Sequence, residues 1–405
     1  MKYLAVLGRQ PLISLAELES LYQNVRPLSV ELAEFETEGV PNIRRLGGSQ
    51  KIAKEISGTV LEFLETLPQD KKITLGVSDF SRGSGAYVAQ KEALKLKRIM
   101  VKLGYSVRVV PNKSSILSSA TSFHNHLFAE NKIELIKFGK KFYRVIGVQN
   151  IDAYVGRDQE RPARDAKVGM LPPKLAQILI NLCGDLPAES RLLDPFCGTG
   201  VVLQEAALIG YKPYGTDVSE RMVEYSRRNL EWLYAGGRHK SSQEPSRDQR
   251  GALLEHGLAR NDGLRQTCSE ESYDWSPAQN CFQGDATNFQ WEPPIDAVAC
   301  ETYLGRPMSL PPAEIKLKQE KQECSSIILG FLKNLSAQIK SGTPVVIAVP
   351  AWLRSNGDYE RLKLLDEIKN LGYNVKSFRN LGQKDLLYHR DQQVVAREII
   401  VLRKK

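Results

Sequence analysis

The stretch that decides the fold of this chain is LLDPFCGTGVVLQEAALIG, from Leu192 to Gly210. An apolar run ends at Asp194, a turn with Gly198 and Gly200 follows, and a helix-forming segment begins at once. Glycines let the backbone approach a ligand closely, and open α/β sheets bind nucleotides where a strand ends. The stretch therefore predicts a nucleotide-like ligand at the carboxyl end of a parallel strand.

The turn differs from the two familiar phosphate-binding patterns. It has neither the GxGxxG of dinucleotide sites nor the GK[ST] of ATP-binding loops, so NAD and ATP are disfavoured as ligands. The acidic Asp194 ahead of the glycines also disfavours a pyrophosphate and favours a ligand that carries positive charge.

The rest of the second half alternates helices with near-continuous apolar strands. The strand candidates are RLLDPF, KPYGTDV, IDAVACE, PVVIAVP and VAREIIVLR. Apolar strands separated by helices indicate a parallel sheet covered on both faces. The stretch 234–280 breaks this pattern, since it is rich in Gly, Ser, Gln, Arg and Glu. We interpret it as a flexible insertion, and we favour a tolerated surface loop over a substrate contact.

The first half also alternates strands and helices, which predicts a small α/β region. YLAVLG is a strand candidate, and ISLAELESLY predicts a helix with Ser14 as its N-cap and Glu17 three residues later. KITLGVSDF predicts a strand, and KEALKLKRIMVKLGY predicts a helix that buries Leu94, Ile99 and Leu103. IELIKF and KFYRVIGVQ predict a closing strand pair.

Charge is concentrated in one part of this chain of 405 residues, whose formal net charge is +9. Residues 71–150 hold 15 Lys and Arg against 4 Asp and Glu, an excess of 11 positive charges. Residues 1–70 hold 7 against 10, an excess of 3 negative charges. A basic segment of this kind is typical of a surface that binds a nucleic-acid backbone. His124 and His126, within it, are assigned to a helix surface or to an RNA contact.

Several classes of protein are disfavoured by the sequence. No run of eighteen apolar residues occurs, so no membrane partner is expected. The N-terminus has no cleavage pattern and is interpreted as a strand, not a signal peptide. The cysteines lack the spacing of a zinc site or a disulfide framework, which predicts no metal and a cytoplasmic location. They are Cys183, Cys197, Cys268, Cys281, Cys300 and Cys324.

The DPFCGTG turn followed by EA resembles the first S-adenosylmethionine motif of amino-group methyltransferases. In that family the residues of this turn surround the methionine portion of the cofactor. The next strand ends in an acidic residue that accepts the ribose hydroxyls, and a GDAT stretch follows where the family contacts adenine. The resemblance assigns cofactor contacts to Asp194, Phe196, Cys197, Gly198, Thr199, Gly200, Asp217, Val218, Asp285 and Ala286.

A wider resemblance covers most of the chain outside 234–280. LGRQPLISLAELESL, FYRVIGVQNIDAY, RDAKVGMLPPKLAQILINL and YHRDQQVVAREIIVLRK are similar to THUMP-domain tRNA guanosine N2-methyltransferases of the guanine-10 type. The resemblance implies an α/β fold whose C-terminal part is a Rossmann-like class I methyltransferase, a parallel sheet with an antiparallel last strand. It also implies tRNA as partner and, as in some relatives, a small activating protein. The implied domains are a ferredoxin-like region at 1–70, a THUMP RNA-binding module at 71–150, a linker at 151–170 and the methyltransferase at 171–405.

The sequence departs from the family after the fourth strand of the methyltransferase part. The family has a DPPY-type motif there, whose acidic side chain and backbone carbonyls accept the N–H bonds of the target amine. This chain has ETYLG instead, which leaves Glu301 and Tyr303 as the candidate catalytic residues. The longer Glu side chain shifts the acceptor oxygen, and a misplacement of about 1 Å can cost about a hundredfold in rate.

Three explanations of ETYLG remain open. Glu301 and Tyr303 rebuild the pocket for the same guanine amine, which we favour; the target atom or base has changed; or catalysis is lost while binding remains. Two other functions also stay open, a catalytically silent RNA-binding protein and a DNA amino-methyltransferase. The mechanism we expect is direct methyl transfer to a base nitrogen, with the base turned out of its stack.

Overall fold

The computed structural model describes residues 1–165, 170–235, 277–391 and 393–405. The predicted insertion at 234–280 lies mostly outside these residues, because 236–276 are not among them. Within the described ranges, no helix combines the length and the apolar character needed to cross a membrane.

The first half contains eight strands and five helices among the described residues. In chain order they are β1 (Lys2–Leu7), α1 (Pro11–Leu21), β2 (Gln23–Pro27), β3 (Leu32–Glu36), β4 (Ser49–Glu55), α2 (Val60–Glu65), β5 (Ile73–Asp79), α3 (Ala86–Lys102), β6 (Val107–Val109), α4 (Ser119–His124), β7 (Lys132–Phe138), β8 (Lys141–Val148) and α5 (Ile151–Gln159). Each strand candidate named above for this half coincides with one of these strands.

The eight strands form one sheet in the order β2-β3-β1-β4-β8-β7-β5-β6. The predicted ferredoxin-like region and the predicted THUMP module both contribute strands to it. They meet where β4 pairs antiparallel with β8, with Lys54 opposite Arg144. The predicted closing pair, β7 and β8, is confirmed as an antiparallel hairpin. The basic module is therefore joined to the N-terminal region by continuous backbone hydrogen bonds.

The predicted N-cap of α1 is wrong, and the predicted buried face of α3 is wrong at Leu94 but holds in part, since Leu103 packs half-buried against the core. Helix α1 begins at Pro11, so Ser14 lies inside it and donates to the Gln10 carbonyl, and is not the N-cap. Proline fixes a helical φ and lacks an N–H, which suits the first helical position. Helix α3 buries Ala89, Ala93, Leu96 and Met100, whereas Leu94 is 41% exposed. The small alanines mark the inward face because they allow close approach to the sheet.

The connecting segment 151–170 is partly helical. Residues 151–159 form α5, whose first turn is capped by the Asn150 side chain accepting from the Ala153 N–H at 2.9 Å. The polar composition of the segment gave no indication of this short helix. The cap stabilises it, and so do two side chains that bind the second half, Tyr154 to Gln177 and Arg157 to Glu205.

The second half contains the remaining described elements. They are α6 (Pro173–Leu182), β9 (Arg191–Asp194), α7 (Val201–Ile209), β10 (Lys212–Asp217), α8 (Glu220–Tyr234), β11 (Cys281–Gln283), β12 (Ala297–Glu301), α9 (Glu314–Ser336), β13 (Pro344–Leu353), β14 (Tyr359–Arg361), α10 (Leu365–Asn370), β15 (Tyr373–Val375), β16 (Leu387–Tyr388) and β17 (Val395–Lys404).

The main path of the second sheet runs β11-β10-β9-β12-β13-β17-β15. Strands β9 to β13 pair in parallel, and β17 pairs antiparallel with β13. The order reverses beside β9, which makes that strand's carboxyl end the switch point where such sheets bind ligands. The predicted Rossmann-like fold with an antiparallel last strand is confirmed.

One hydrophobic core spans both halves. It unites residues of β1, α1 and β3 with residues of α6, α7, β9 and β17. Helix α1 packs on α6, and the buried carboxylate of Glu17 accepts from Asn181 and from the Gly47 and Gly48 N–H groups. This shared core fixes the N-terminal region against the back of the second sheet.

Candidate active site

Three carboxylates end neighbouring strands at the same edge of the second sheet. Asp194 ends β9, Asp217 ends β10 and Glu301 ends β12. Because these strands are parallel and adjacent in the sheet, their carboxyl ends meet at one edge. The sequence motifs found each residue separately, and the strand order brings all three together.

The glycine-rich turn leaves this edge and enters α7. Gly198 and Gly200 have φ values of 51° and 77°, in the left-handed region that glycine adopts without strain. A Cβ on Gly200 would lie 2.9 Å from the Ser226 hydroxyl, so a larger residue does not fit there. The turn is held by the Gly198 N–H, which donates to Asp217 at 2.9 Å. The conformation of the turn is thus fixed by its glycines and by the bond to Asp217.

Asp194 is buried and carries a strongly perturbed carboxyl group. It is 2% exposed, and within the chain it accepts a hydrogen bond from the Phe196 N–H at 3.1 Å. Burial raises the pKa of Asp194 well above its usual range, and the nearby charges of Asp217 and Glu301 raise it further. Such a group favours the approach of a cation.

Asp217 accepts hydrogen bonds from the turn and can still accept hydrogen bonds from a ligand. Its two oxygens accept from the Gly198 and Ser219 N–H groups, each at 2.9 Å. A carboxylate oxygen has two lone pairs, so both oxygens remain able to accept from ligand hydroxyls. Burial raises the pKa of Asp217. The next residue, Val218, is 69% exposed and offers an apolar surface beside the carboxylate.

The other predicted cofactor residues divide into exposed and buried groups. Asp285 is exposed and accepts from the Thr287 N–H and hydroxyl, which closes the turn after β11. Ala286 is buried, and Phe196 packs edge-on against Phe331. Cys197 is buried between β10 and α8, and burial raises the pKa of its thiol well above the usual range. Cys197 therefore supports the turn from behind.

Thr199 connects the turn to the segment before α6. The Asn229 amide donates to the carbonyls of Thr199 and Ala163, each at 2.8 Å. Nearby, Arg157 of α5 binds the buried Glu205 of α7 at 2.6 Å. The connecting segment is thereby anchored to the helix that follows the glycine turn.

Glu301 is held by a residue that the sequence motifs did not single out. Arg397 of β17 donates from Nε to Glu301 Oε1 at 2.6 Å, and their side chains are 7% and 16% exposed. The sequence did contain a signal for Arg397, because VAREIIVLR interrupts its hydrophobic run with the charged residues Arg397 and Glu398. The pairing itself depends on the register of three strands.

Tyr303 lies half-buried two residues beyond Glu301. It packs against the core cluster on the α9 side of the sheet. Burial raises the pKa of its hydroxyl, and the carboxylates of Glu323 and Glu320 add to this effect. Between the two candidates, Thr302 donates to the Ala348 carbonyl and continues the sheet by one residue.

The edge fits a cationic nucleoside such as S-adenosylmethionine. The Asp194 and Asp217 carboxyl groups can attract positive charge, two glycines admit close approach, and Val218 supplies an exposed apolar side chain. Among the residues that the structure describes, no group of three or more His, Cys, Asp or Glu side chains could hold a metal ion.

The basic segment presents much of its charge on α3. Lys91, Lys95 and Arg98 are exposed there. On the opposite face of this sheet, Lys51 and Glu134 form a fully buried pair at 2.6 Å, completed by the Ser78 and Ser122 hydroxyls. His124 lies 3.9 Å from Asp152 and is more than half exposed, as expected for a helix surface.

Comparison with known proteins relates the chain to methyltransferases. Residues 161–252 match the family model described as UPF0020: RMKL-like, methyltransferase domain. A protein of Methanothermobacter thermautotrophicus is 51% identical over 63 residues, which cover 16% of this chain and 18% of that protein. A Pyrococcus abyssi protein is 27% identical over 240 residues, which cover 57% of this chain and 68% of that protein.

A third relative, from Methanocaldococcus jannaschii, is 31% identical over 136 residues, a third (33%) of each chain. All three are named tRNA (guanine(10)-N2)-dimethyltransferase. The match to the first of these relatives thus spans less than a fifth of its length, 18%. The TrmN crystal structure from Thermus thermophilus aligns over 100% of both chains, with a TM-score of 0.45 and 15% identity. The predicted resemblance to tRNA guanine N2-methyltransferases is confirmed by the named relatives.

Proposed function

We propose that this chain is an S-adenosylmethionine-dependent tRNA methyltransferase that acts on the exocyclic N2 of a guanine. The observation that carries the proposal is the 240-residue similarity to the Pyrococcus abyssi protein, which bears that activity in its name. The three carboxylates at the switch point support it, because a cationic methyl donor suits that edge.

S-adenosylmethionine, when bound, supplies a methyl group on a positively charged sulfur. Asp194 and the backbone of the Gly198–Gly200 turn would hold its methionine portion. Asp217 would accept from its ribose hydroxyls, with Val218, Asp285 and Ala286 beside the adenine. The rigid turn and the Asn229 contact to Thr199 would keep these groups in place before the donor arrives.

Glu301 would accept an N–H of the guanine amine. This hydrogen bond would keep the lone pair of the nitrogen directed at the methyl group, as the acidic residue of a DPPY-type motif does. Tyr303 would border the base with its half-buried ring. The ETYLG stretch is thus interpreted as a rebuilt acceptor site for the same amine.

The basic module at 71–150 would bind the tRNA backbone, in keeping with its excess of 11 positive charges. Because the N-terminal region shares its core with the methyltransferase part, bound tRNA would be held at a fixed position relative to the site. A small activating protein, as in some relatives, and a cytoplasmic location belong to the same proposal.

The test is methyl transfer from labelled S-adenosylmethionine to unmodified tRNA, followed by nucleoside mass spectrometry. We expect N2-methylguanosine or its dimethyl form, and a Glu301→Ala variant that binds the donor but transfers little. A different methylated nucleoside would mean that ETYLG marks another target, and equal activity on DNA would contradict the tRNA substrate. Donor binding without any product, with or without candidate activating proteins, would favour a silent RNA-binding protein.

A further inference from the structure

The most informative unassigned contact in the molecule is the Arg397–Glu301 pair at the mouth of the site. Glu301 is the last residue of β12, and Arg397 belongs to β17, which is separated from β12 by β13. Glu301 pairs with Ala348 of β13, and Pro350 of the same strand pairs with Arg397. The two side chains together therefore span about two strand spacings, roughly 10 Å, and meet across β13.

The contact leaves half of the carboxylate unengaged. Arg397 Nε bonds Oε1 at 2.6 Å, and no other hydrogen bond reaches the Glu301 carboxylate from the described part of the chain. Oε2 is thus available to an N–H donor that enters from the carboxyl edge. The guanidinium is itself nearly buried and is steadied by Gln393, whose Oε1 lies 3.4 Å from Nη1.

A glutamate in this position needs such support. It has one more rotatable bond than aspartate, and ordering a long side chain costs free energy each time a substrate binds. An arginine that holds one oxygen beforehand removes that freedom, which is the meaning of preorganisation at a reacting centre. The planar guanidinium suits this task better than a lysine because its donors have fixed directions.

We propose that Arg397 is a positioning residue, which fixes the Glu301 carboxylate so that its second oxygen accepts the N–H of the target amine. This inference rests on the proposed methyl transfer to a base nitrogen. It explains how the chain can use glutamate where related motifs have a shorter acidic residue. Arg397, from the last strand, holds the longer side chain in one position.

The chain offers a matched control in the neighbouring pair. Arg361 of β14 binds Glu398 at 3.0 Å, and Glu398 adjoins Arg397 in β17 on the opposite face of the sheet. The control pair is likewise an arginine and a buried glutamate of the same strand region. It does not contact Glu301.

The experiment compares Arg397→Met, Arg397→Lys and the control Arg361→Met in the full chain. We expect Arg397→Met to lower kcat by about 10- to 100-fold while the KM for tRNA and the Kd for S-adenosylmethionine stay near their original values. Arg397→Lys should recover part of kcat, and Arg361→Met should keep it. Crystal structures of the variants should show the Glu301 carboxylate displaced only in Arg397→Met.

The possible outcomes separate this inference from the proposed function. If the unsubstituted protein transfers no methyl group, the proposed function is overturned. The position of the Glu301 carboxylate in the crystal structures would still test whether Arg397 holds it. Unchanged kcat in a folded Arg397→Met, or an unmoved Glu301 carboxylate, would overturn only the positioning role of Arg397. Loss of donor binding in Arg397→Lys would assign the arginine to the cofactor pocket and also overturn the inference.

Discussion

At the scale of single residues, the burial of Asp194 has a cost in stability, and we propose that the same residue binds the cofactor. Its carboxyl group is 2% exposed, and burial raises its pKa well above the usual range. The folded protein then holds a proton that the unfolded chain has released, so the group makes folding less favourable as pH rises above about 4. A bound cation would reverse this preference by favouring the ionised carboxylate.

An Asp194→Asn variant should separate these two effects. We expect the free protein to be at least as stable as the original near neutral pH, with a flatter loss of stability as pH rises. The Kd for S-adenosylmethionine should rise by about 10- to 100-fold, since a charge-assisted hydrogen bond contributes about 1.5–3 kcal/mol. Thermal unfolding between pH 5 and 8 and titration calorimetry measure the two quantities. Asp366→Asn, whose carboxylate is 93% exposed, is the control; equal donor affinity in both variants would contradict the assigned role.

The sequence predicts residues of this kind only when their role is local. Asp194 and Asp217 each end an apolar run before a turn, so their place at the sheet edge is predictable. Arg397 is 96 positions from Glu301, and their contact depends on β17 lying antiparallel beside β13. No spacing rule connects them. The Ser14 prediction failed for a different reason, because the local signal of Pro11, which fixes the start of the helix, was overlooked.

At the scale of elements, strands were more predictable than helix faces. Short, near-continuous apolar runs rich in β-branched residues, such as PVVIAVP, are typical of buried strands, and β13 is buried along almost its whole length. Helix α3 carries apolar residues on more than one side, so Leu94 was wrongly assigned to its buried face. The structure places Ala93 and Met100 inside and Leu94 outside.

This helix allows a direct test with a matched pair of substitutions. Met100→Ala should lower the free energy of unfolding by about 2–5 kcal/mol, because it leaves a cavity beside the sheet. Leu94→Ala, at a position that is 41% exposed, should change it by no more than about 0.5 kcal/mol. Urea unfolding followed by circular dichroism measures both. A larger loss for Leu94→Ala would restore the face predicted from the sequence.

At the scale of the whole molecule, the two halves share one packed core. Residues of α1, β1, α6 and α7 meet in it and place the N-terminal region against the sheet that carries the candidate site. The sequence predicted both halves separately, from charge in one and from motifs in the other. It could not predict their packing, since contacts such as Glu17 to Asn181 join residues 164 positions apart. Such packing would fix the distance along a tRNA between the part bound by the basic module and the nucleotide at the candidate site.

If the basic module binds tRNA as proposed, its charge would determine how that binding depends on salt concentration. Removing one cationic side chain that binds a phosphate should reduce the slope of log K against log salt by about 0.9 or less. Replacing Lys91, Lys95 and Arg98 by Gln should weaken tRNA binding and flatten that slope. The same replacement at the exposed Lys333, Lys340 and Lys369, towards the opposite end of the catalytic sheet, should leave both unchanged. Filter-binding titrations from low to physiological salt decide the matter. If the tRNA affinity of the unsubstituted protein did not change with salt concentration, tRNA would not be bound through this module, even if the candidate site methylates it.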